Sequence, residues 1–512
     1  MSRSSRREFL GDVGRGMMIA GVGSSVAAEL GFGASFAEIE NRSIRFGKME
    51  PLVALMQETP LEKLQPLLIQ KLKSRKTNLK QLVTAASLAN ARTFGGEDYV
   101  GFHTAMALVP ALEMAQELPL VQRPLPVLKV LYRNTAQIQK FGGPAKEVLH
   151  SIEGSDLPKN QLTGELLREE TRGRRMNSAE RIFKSMTDRS TIEAYNKLQY
   201  IVHDDANVHR VALAHRAWEM IDLVGKEQAH TMLRQSVRFC VKAERNRVQR
   251  NRPEPGIRKV LPRLLSEYKL LEKPLGKRMV DDAWIGKMAA TIYSSTREQA
   301  AEAVAAALAE GISPEAVGEA ISLAANQLLL TDTAKRTHGA SVGVHACDSV
   351  NAWRNIARVT NQRNAVASIV VAAWHVALNK RSIGPDPLKL YRGYVKTTDS
   401  KALLKEAEKA IRANEQKLAA GTILKYCELG YPARPVFDLM LKYAISEDGR
   451  LHSEKYYRTV VEEYKIGKPK YRLRHLVSLA RVTASAFAFT VDDRHGYRAP
   501  GYEQALDLLK LT

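Results

Sequence analysis

The chain has 512 residues, 45% of them hydrophobic and 26% charged, with a formal net charge of +22. Aromatic residues are only 6% and are not interleaved with the basic ones, which argues against a base-stacking nucleic-acid platform. Cys240, Cys347 and Cys427 lie far apart with no CxxC pair. A disulfide framework is therefore not expected, and stability must come from a core that this length can supply as two domains or one duplicated one.

The N-terminus carries Ser5-Arg6-Arg7-Glu8-Phe9-Leu10, then a glycine- and alanine-rich stretch over 16–34, then Ser35-Phe36-Ala37 with small residues suited to a signal peptidase. This segment resembles a twin-arginine signal peptide. The resemblance implies that residues 1–37 are removed, that the export machinery is a partner, and that the product resides in the periplasm or cell envelope. Clients of that route often carry a cofactor inserted before export. Without residues 1–37 the net charge is +21, because four basic and three acidic groups leave. No apolar run of membrane-spanning length follows. Such a positive field suits an anionic polymer or lipid surface, while export argues against intracellular nucleic acid.

Along the mature chain the periodicity is helical, and an all-α fold is expected. Leu61 to Leu72, Leu79 to Ala91, Ala300 to Leu308 and Pro314 to Leu330 place apolar residues three and four apart. Ser313-Pro314-Glu315 combines a cap, a first-turn proline and an acid, a strong helix start. Residues 152–180, broken by Gly154, Pro158, Gly164 and Gly173, and residues 247–280, basic with Pro253, Pro255, Pro262 and Pro274, are expected to be connectors.

Short matches recur in the same order at nearly one offset. Gly47-Lys48-Met49 returns as Gly286-Lys287-Met288, and Ala86-Ser87-Leu88-Ala89-Asn90 as Ile321-Ser322-Leu323-Ala324-Ala325-Asn326. Val100-Gly101-Phe102-His103 returns as Val342-Gly343-Val344-His345, Asn207-Val208-His209 as Arg450-Leu451-His452, and Ala229-His230 as Arg474-His475. This pattern predicts an internally duplicated bundle of helical hairpins with pseudo-twofold symmetry. A first half at 38–246 and a second half with C-terminal extension at 281–512 would be joined by the basic, proline-containing linker 247–280.

Four helix openings end alike, with an acidic or small capping residue, a short step and then His103, His209, His345 or His452. Four equivalent imidazoles in a pseudo-symmetric bundle are expected to converge as metal ligands, oriented by the carboxylates Asp98, Asp205 and Asp448. Imidazole with carboxylate suits iron, zinc, manganese or copper. The third opening has no equivalent acid, although Asp348 follows His345 by three residues. The competing expectation is that each histidine merely bonds its own turn. Among the other histidines, His203 is expected in a capping turn and His375 in the core. His209 and His215, six apart, should not share a face. His230 and His475 are matched packing or supporting residues, and His338 stands seven residues before His345.

No HExxH, paired ExxH, Walker loop or GxGxxG motif occurs. Gly339-Ala340-Ser341-Val342-Gly343 matches GxSxG, but it lacks the preceding strand that a nucleophile elbow requires. The stretch from Leu82 to Asn90, continued by Tyr99-Val100-Gly101-Phe102-His103, resembles the core hairpin of the carboxymuconolactone decarboxylase and alkylhydroperoxidase group. Gly96 and Tyr99 stand where the peroxidases carry cysteines, so thiol peroxidase chemistry is not implied. His338-Gly339 with Gly343-Val344-His345-Ala346-Cys347-Asp348 resembles the questin oxidase-like helical family, which implies oxidation of an organic substrate. The expected function is therefore an exported oxidoreductase acting on a small organic substrate at a histidine-lined metal or cofactor site. The alternative is a non-enzymatic cell-envelope protein that binds an acidic polymer.

Overall fold

A computed structural model describes residues 43–157, 163–332, 341–378, 387–447, 449, 451–487 and 499–511, with only the backbone at Tyr394. The signal segment, His338 and Asp448 lie outside the described residues. The described chain is all-α, with 23 α-helices and no strand. The helical stretches expected from periodicity are present, and several start at a capping residue. The helix opening at Leu79 has an Asn78–Gln81 capping box, and the one opening at Pro314 is capped by the Ser313 hydroxyl, which accepts from the Ala316 N–H.

In chain order the first array comprises α1 (Glu50–Glu58), α2 (Leu61–Lys73), α3 (Leu79–Phe94), α4 (Tyr99–Glu117), α5 (Pro124–Phe141), α6 (Thr163–Arg172), α7 (Met176–Arg189), α8 (Thr191–Val202), α9 (Val208–Val224) and α10 (Ala229–Gln249). After α11 (Ile257–Glu267) come α12 (Asp282–Ser294), α13 (Arg297–Ala309), α14 (Pro314–Thr331), α15 (Val342–Val359), α16 (Gln362–Leu378) and the short α17 (Pro387–Tyr391). The chain ends with α18 (Ser400–Arg412), α19 (Gln416–Glu428), α20 (Arg434–Ser446), α21 (His452–Ile466), α22 (Pro469–Ala486) and α23 (Pro500–Leu509).

The packing of α1–α5 on one another resembles that of α12–α16, and several contacts among α6–α10 have a counterpart among α18–α22, but α7 packs closely on α8 where α19 does not on α20. Even the outer helices correspond: α11 lies on α13 and α16, and α23 lies on α2 and α5. The supposed connectors are themselves partly helical. In 247–280, helix α11 buries Ile257, Leu261 and Leu264 at helical spacing despite Pro262. In 152–180, α6 and the start of α7 do the same with narrow stripes. Dense charge around a thin apolar stripe hid these helices from a composition reading.

The two halves interlock. The Lys129 ammonium on α5 stands 2.7 Å from the Glu454 carboxylate on α21, both side chains buried, and also donates to the carbonyls of Ala444 and Glu447. At the equivalent junction, His203 Nε2 and Ser368 Oγ are 3.0 Å apart. Gln65 on α2 donates to the carbonyl of Gly501 on α23.

At the mouths of two hairpins a glycine lets helices touch. A Cβ on Gly101 would lie 2.5 Å from the Phe94 ring, and one on Gly343 would lie 2.5 Å from the Leu329 Cα. A ring can tilt, but backbone cannot. Gly343→Ala is therefore expected to cost about 1–3 kcal/mol and Gly101→Ala less, as measured by urea midpoints. Equal and negligible costs would show that these approaches are looser than described.

Candidate functional site: a four-histidine layer

Helices α4, α9, α15 and α21 form a closed ring in which each packs on the next and α21 returns to α4. They point the same way. His103, His209, His345 and His452 meet in the first turns, and ten residues further along, side chains of the same helices meet again. The ring centroids of successive imidazoles are 4.8, 5.8, 5.3 and 5.2 Å apart around the circuit 103–209–345–452–103. First and second halves each supply two.

Local capping sets this register. Asp98, Asn207 and Ser341 cap α4, α9 and α15 by accepting from first-turn N–H groups, while Leu451 opens α21 from a left-handed conformation. The Asp98 carboxylate is occupied by the Gly101 N–H and the Gln137 amide, so it holds the helix, not an imidazole. Asp205 is not the cap of α9; its carbonyl accepts from the Asn207 N–H. Asp448 lies outside the described residues. Glu97 pairs with Arg238 and Lys242.

His103 Nδ1 lies 2.6 Å from the Tyr99 carbonyl, which can only accept, so Nδ1 carries the proton and Nε2 offers a lone pair. Nε2 of His103 and Nε2 of His209 are buried without a hydrogen-bond partner. Nε2 of His345 and Nε2 of His452 face one another at 3.2 Å. Burial, reinforced by Lys455, lowers all four: His209 to about 3, His345 to about 4, and His103 and His452 well below the ordinary range. Tyr99, more than half exposed, packs its ring on His103 and His209 at the outer side.

Stepping inward from each histidine by three, seven and ten residues exposes a polar bundle axis that the sequence reading did not see. The second layer holds Asp348 and Lys455. Burial pushes the Asp348 carboxyl up to about 6, and it accepts from the Thr459 hydroxyl; burial pushes the Lys455 ammonium down to about 8. Below it Arg216 bonds Glu219 at 2.6 Å, and Arg458 bridges Glu113 and Glu462 at 2.7 and 2.6 Å. Burial raises Glu113 to about 7, whereas Arg216 and Arg458 outweigh burial at Glu462 and hold it at about 2. His209, His345, His452, Asp348 and Lys455 line a cavity of ≈ 20 Å³, together with His215. His209 and His215, six residues apart, thus share this cavity.

Other candidates resolve structurally. Ser341 is a helix cap, and its hydroxyl accepts from the Val344 N–H; the rest of that motif's start, Gly339 and Ala340, lies outside the described residues. His203 ends α8 and bonds Ser368, and His375 receives the Trp353 indole N–H at 3.4 Å in the core. His230 and His475 are withdrawn from water in their own halves, away from the layer. Among the described residues, no group of three or more His, Cys, Asp or Glu side chains is placed so that it could hold a metal ion. No described helix is long and apolar enough to cross a membrane. The chain matches no protein-family model, no curated protein and no solved structure.

The buried imidazoles make stability depend on pH. His230 and His375 are lowered by burial to about 3 and His475 to about 4, alongside His209 and His345. Their unfolded values sit near 6.5, so between pH 6 and 4.5 the unfolded chain binds protons that the folded chain does not, and stability falls with pH. Asp348 and Glu113, raised in the fold, act in the opposite sense but are outnumbered. Urea midpoints are expected to drop steadily from pH 6.5 to 4.5, by on the order of 1 kcal/mol per pH unit or more. A flat profile would mean that these rings are hydrated.

Proposed function

We propose that this is an exported, internally duplicated helical protein whose function resides in a transition-metal centre held by His103, His209, His345 and His452. The observation that carries the reading is the gathering of four imidazoles in one layer, in which Nε2 of His103 and Nε2 of His209 are buried without a hydrogen-bond partner. Two neutral Nε2 atoms at 3.2 Å repel unless a proton or a cation lies between them. That spacing is close to the about 3.3 Å edge of a tetrahedron of nitrogens at about 2.0–2.1 Å from a common metal. As they stand, no three of these side chains are placed to hold an ion, so the proposed centre requires the rings to move when metal binds.

Such a ligand set suits zinc, copper, iron or manganese, each bound by neutral imidazole. The metal would supply Lewis acidity, and electron transfer if it is redox-active. The chain's own residues fix the Nδ1–H tautomer of His103 through the Tyr99 carbonyl, exclude bulk water, and set a proton donor and acceptor, Lys455 and Asp348, one turn inward. Oxidoreductase chemistry on a small organic substrate is the reaction class, supported by the likeness to the questin oxidase-like family and by the twin-arginine segment.

Elemental analysis of protein purified from its native export route tests this directly. About one transition metal per chain is expected, and His103→Ala with His345→Ala should remove it while the far-ultraviolet circular dichroism is unchanged. A metal-free wild type that binds an anionic polymer, with affinity falling steeply in salt, would replace this reading by that of a cell-envelope binding protein.

A further inference from the structure

The cavity beside the histidine layer is lined by a buried cation that forms no ion pair among the described residues. Lys455 is only 7% exposed and lines the ≈ 20 Å³ space with His209, His345 and His452. Every other buried lysine or arginine of the central junctions has a named partner: Lys129 has Glu454, Arg216 has Glu219, and Arg354 has Glu463. Among the described residues the Lys455 ammonium forms no ion pair, and the carboxylates that attract it are Asp348 and Glu454. Its charged neighbours are Asp348, which faces the same cavity and takes the Thr459 hydroxyl, Glu454, already paired with Lys129, and Arg216. Burying a cation without a partner costs several kcal/mol, and the N-terminal ends of four helices, each with a partial positive charge, converge just above it. The whole arrangement favours negative charge in the cavity.

We propose that this cavity is a binding site for one small inorganic anion of one to three heavy atoms, held by the Lys455 ammonium beside the imidazole layer. The space, ≈ 20 Å³, is of the order of a water or a short linear ion, so an organic substrate does not enter it. In such a site the anion accepts from Lys455, and Asp348 is the acceptor for any proton the ligand carries. The inference deepens the metal-centre reading by naming the size and charge of the co-ligand, but the Lys455 contact does not itself require the metal.

Azide is the probe, read by the infrared band of its antisymmetric stretch on the full-length mature protein as purified and after chelator treatment. Bound azide, with a band displaced from that of free azide, is expected in both preparations. Lys455→Met should weaken it about ten- to hundred-fold, the loss of one charge-assisted hydrogen bond, while the melting temperature holds or rises because an unpaired buried charge has gone. Asp348→Asn keeps the Thr459 contact and removes the opposing charge, so azide should bind as tightly or more tightly; this variant carries the test if Lys455→Met does not fold. Azide affinity unchanged by Lys455→Met, or lost in Asp348→Asn, would overturn the proposal, as would no bound azide in either preparation. Azide held in metal-free protein and lost in Lys455→Met would sustain the anion site while removing the metal. Azide seen only with metal, and indifferent to Lys455, would do the reverse.

Discussion

Four helices that start at one level and run in one direction impose the central constraint of this molecule. Their N-terminal dipoles add at the shared layer, so positive charge there is penalised. Imidazole tolerates that position because it can be neutral, and burial together with Lys455 keeps all four neutral. Neutral imidazoles gathered at one level are the basis of the metal centre proposed above. Just inside that layer Lys455, a buried ammonium in no ion pair, is the group proposed to hold an anion.

Because α4 and α9 come from the first half and α15 and α21 from the second, the layer exists only where the halves meet. The fold invests in that junction. A buried Lys129–Glu454 pair, the His203–Ser368 contact and the docking of α11 and α23 on opposite halves hold the register. Buried ion pairs contribute little net stability, but removing one partner is costly, so these contacts fix the relative placement of the halves more than they strengthen the fold. The polar axis below the histidines, with Arg216, Glu219, Arg458, Glu462 and Glu113, is a further expense borne by an otherwise apolar core.

The all-α class and several helix boundaries were legible because apolar period and capping residues agree, as at Asn78 and Ser313. The convergence of His103, His209, His345 and His452 was legible from repetition alone, since one offset placed the same residue at equivalent openings. The carboxylates were misassigned in role: acids before a helix start satisfy N–H groups first, and Asp98 does so fully with Gly101 and Gln137. Lys455, Arg216 and Glu113 went unnoticed because charged residues on a helix ordinarily face solvent. Only their spacing of three, seven and ten residues from a histidine marks them as interior. The helix in 247–280 was hidden by the same bias, its three apolar residues outweighed by arginines, lysines and prolines.

X-ray absorption at the metal edge addresses the central claim most directly, because it counts and identifies the metal's neighbours in the protein as purified. The account predicts an inner shell of nitrogen at about 2.0–2.1 Å, with the outer-atom pattern of three or four imidazole rings. A shell dominated by water or carboxylate oxygen, or a spectrum unchanged by His209→Ala and His452→Ala, would contradict it.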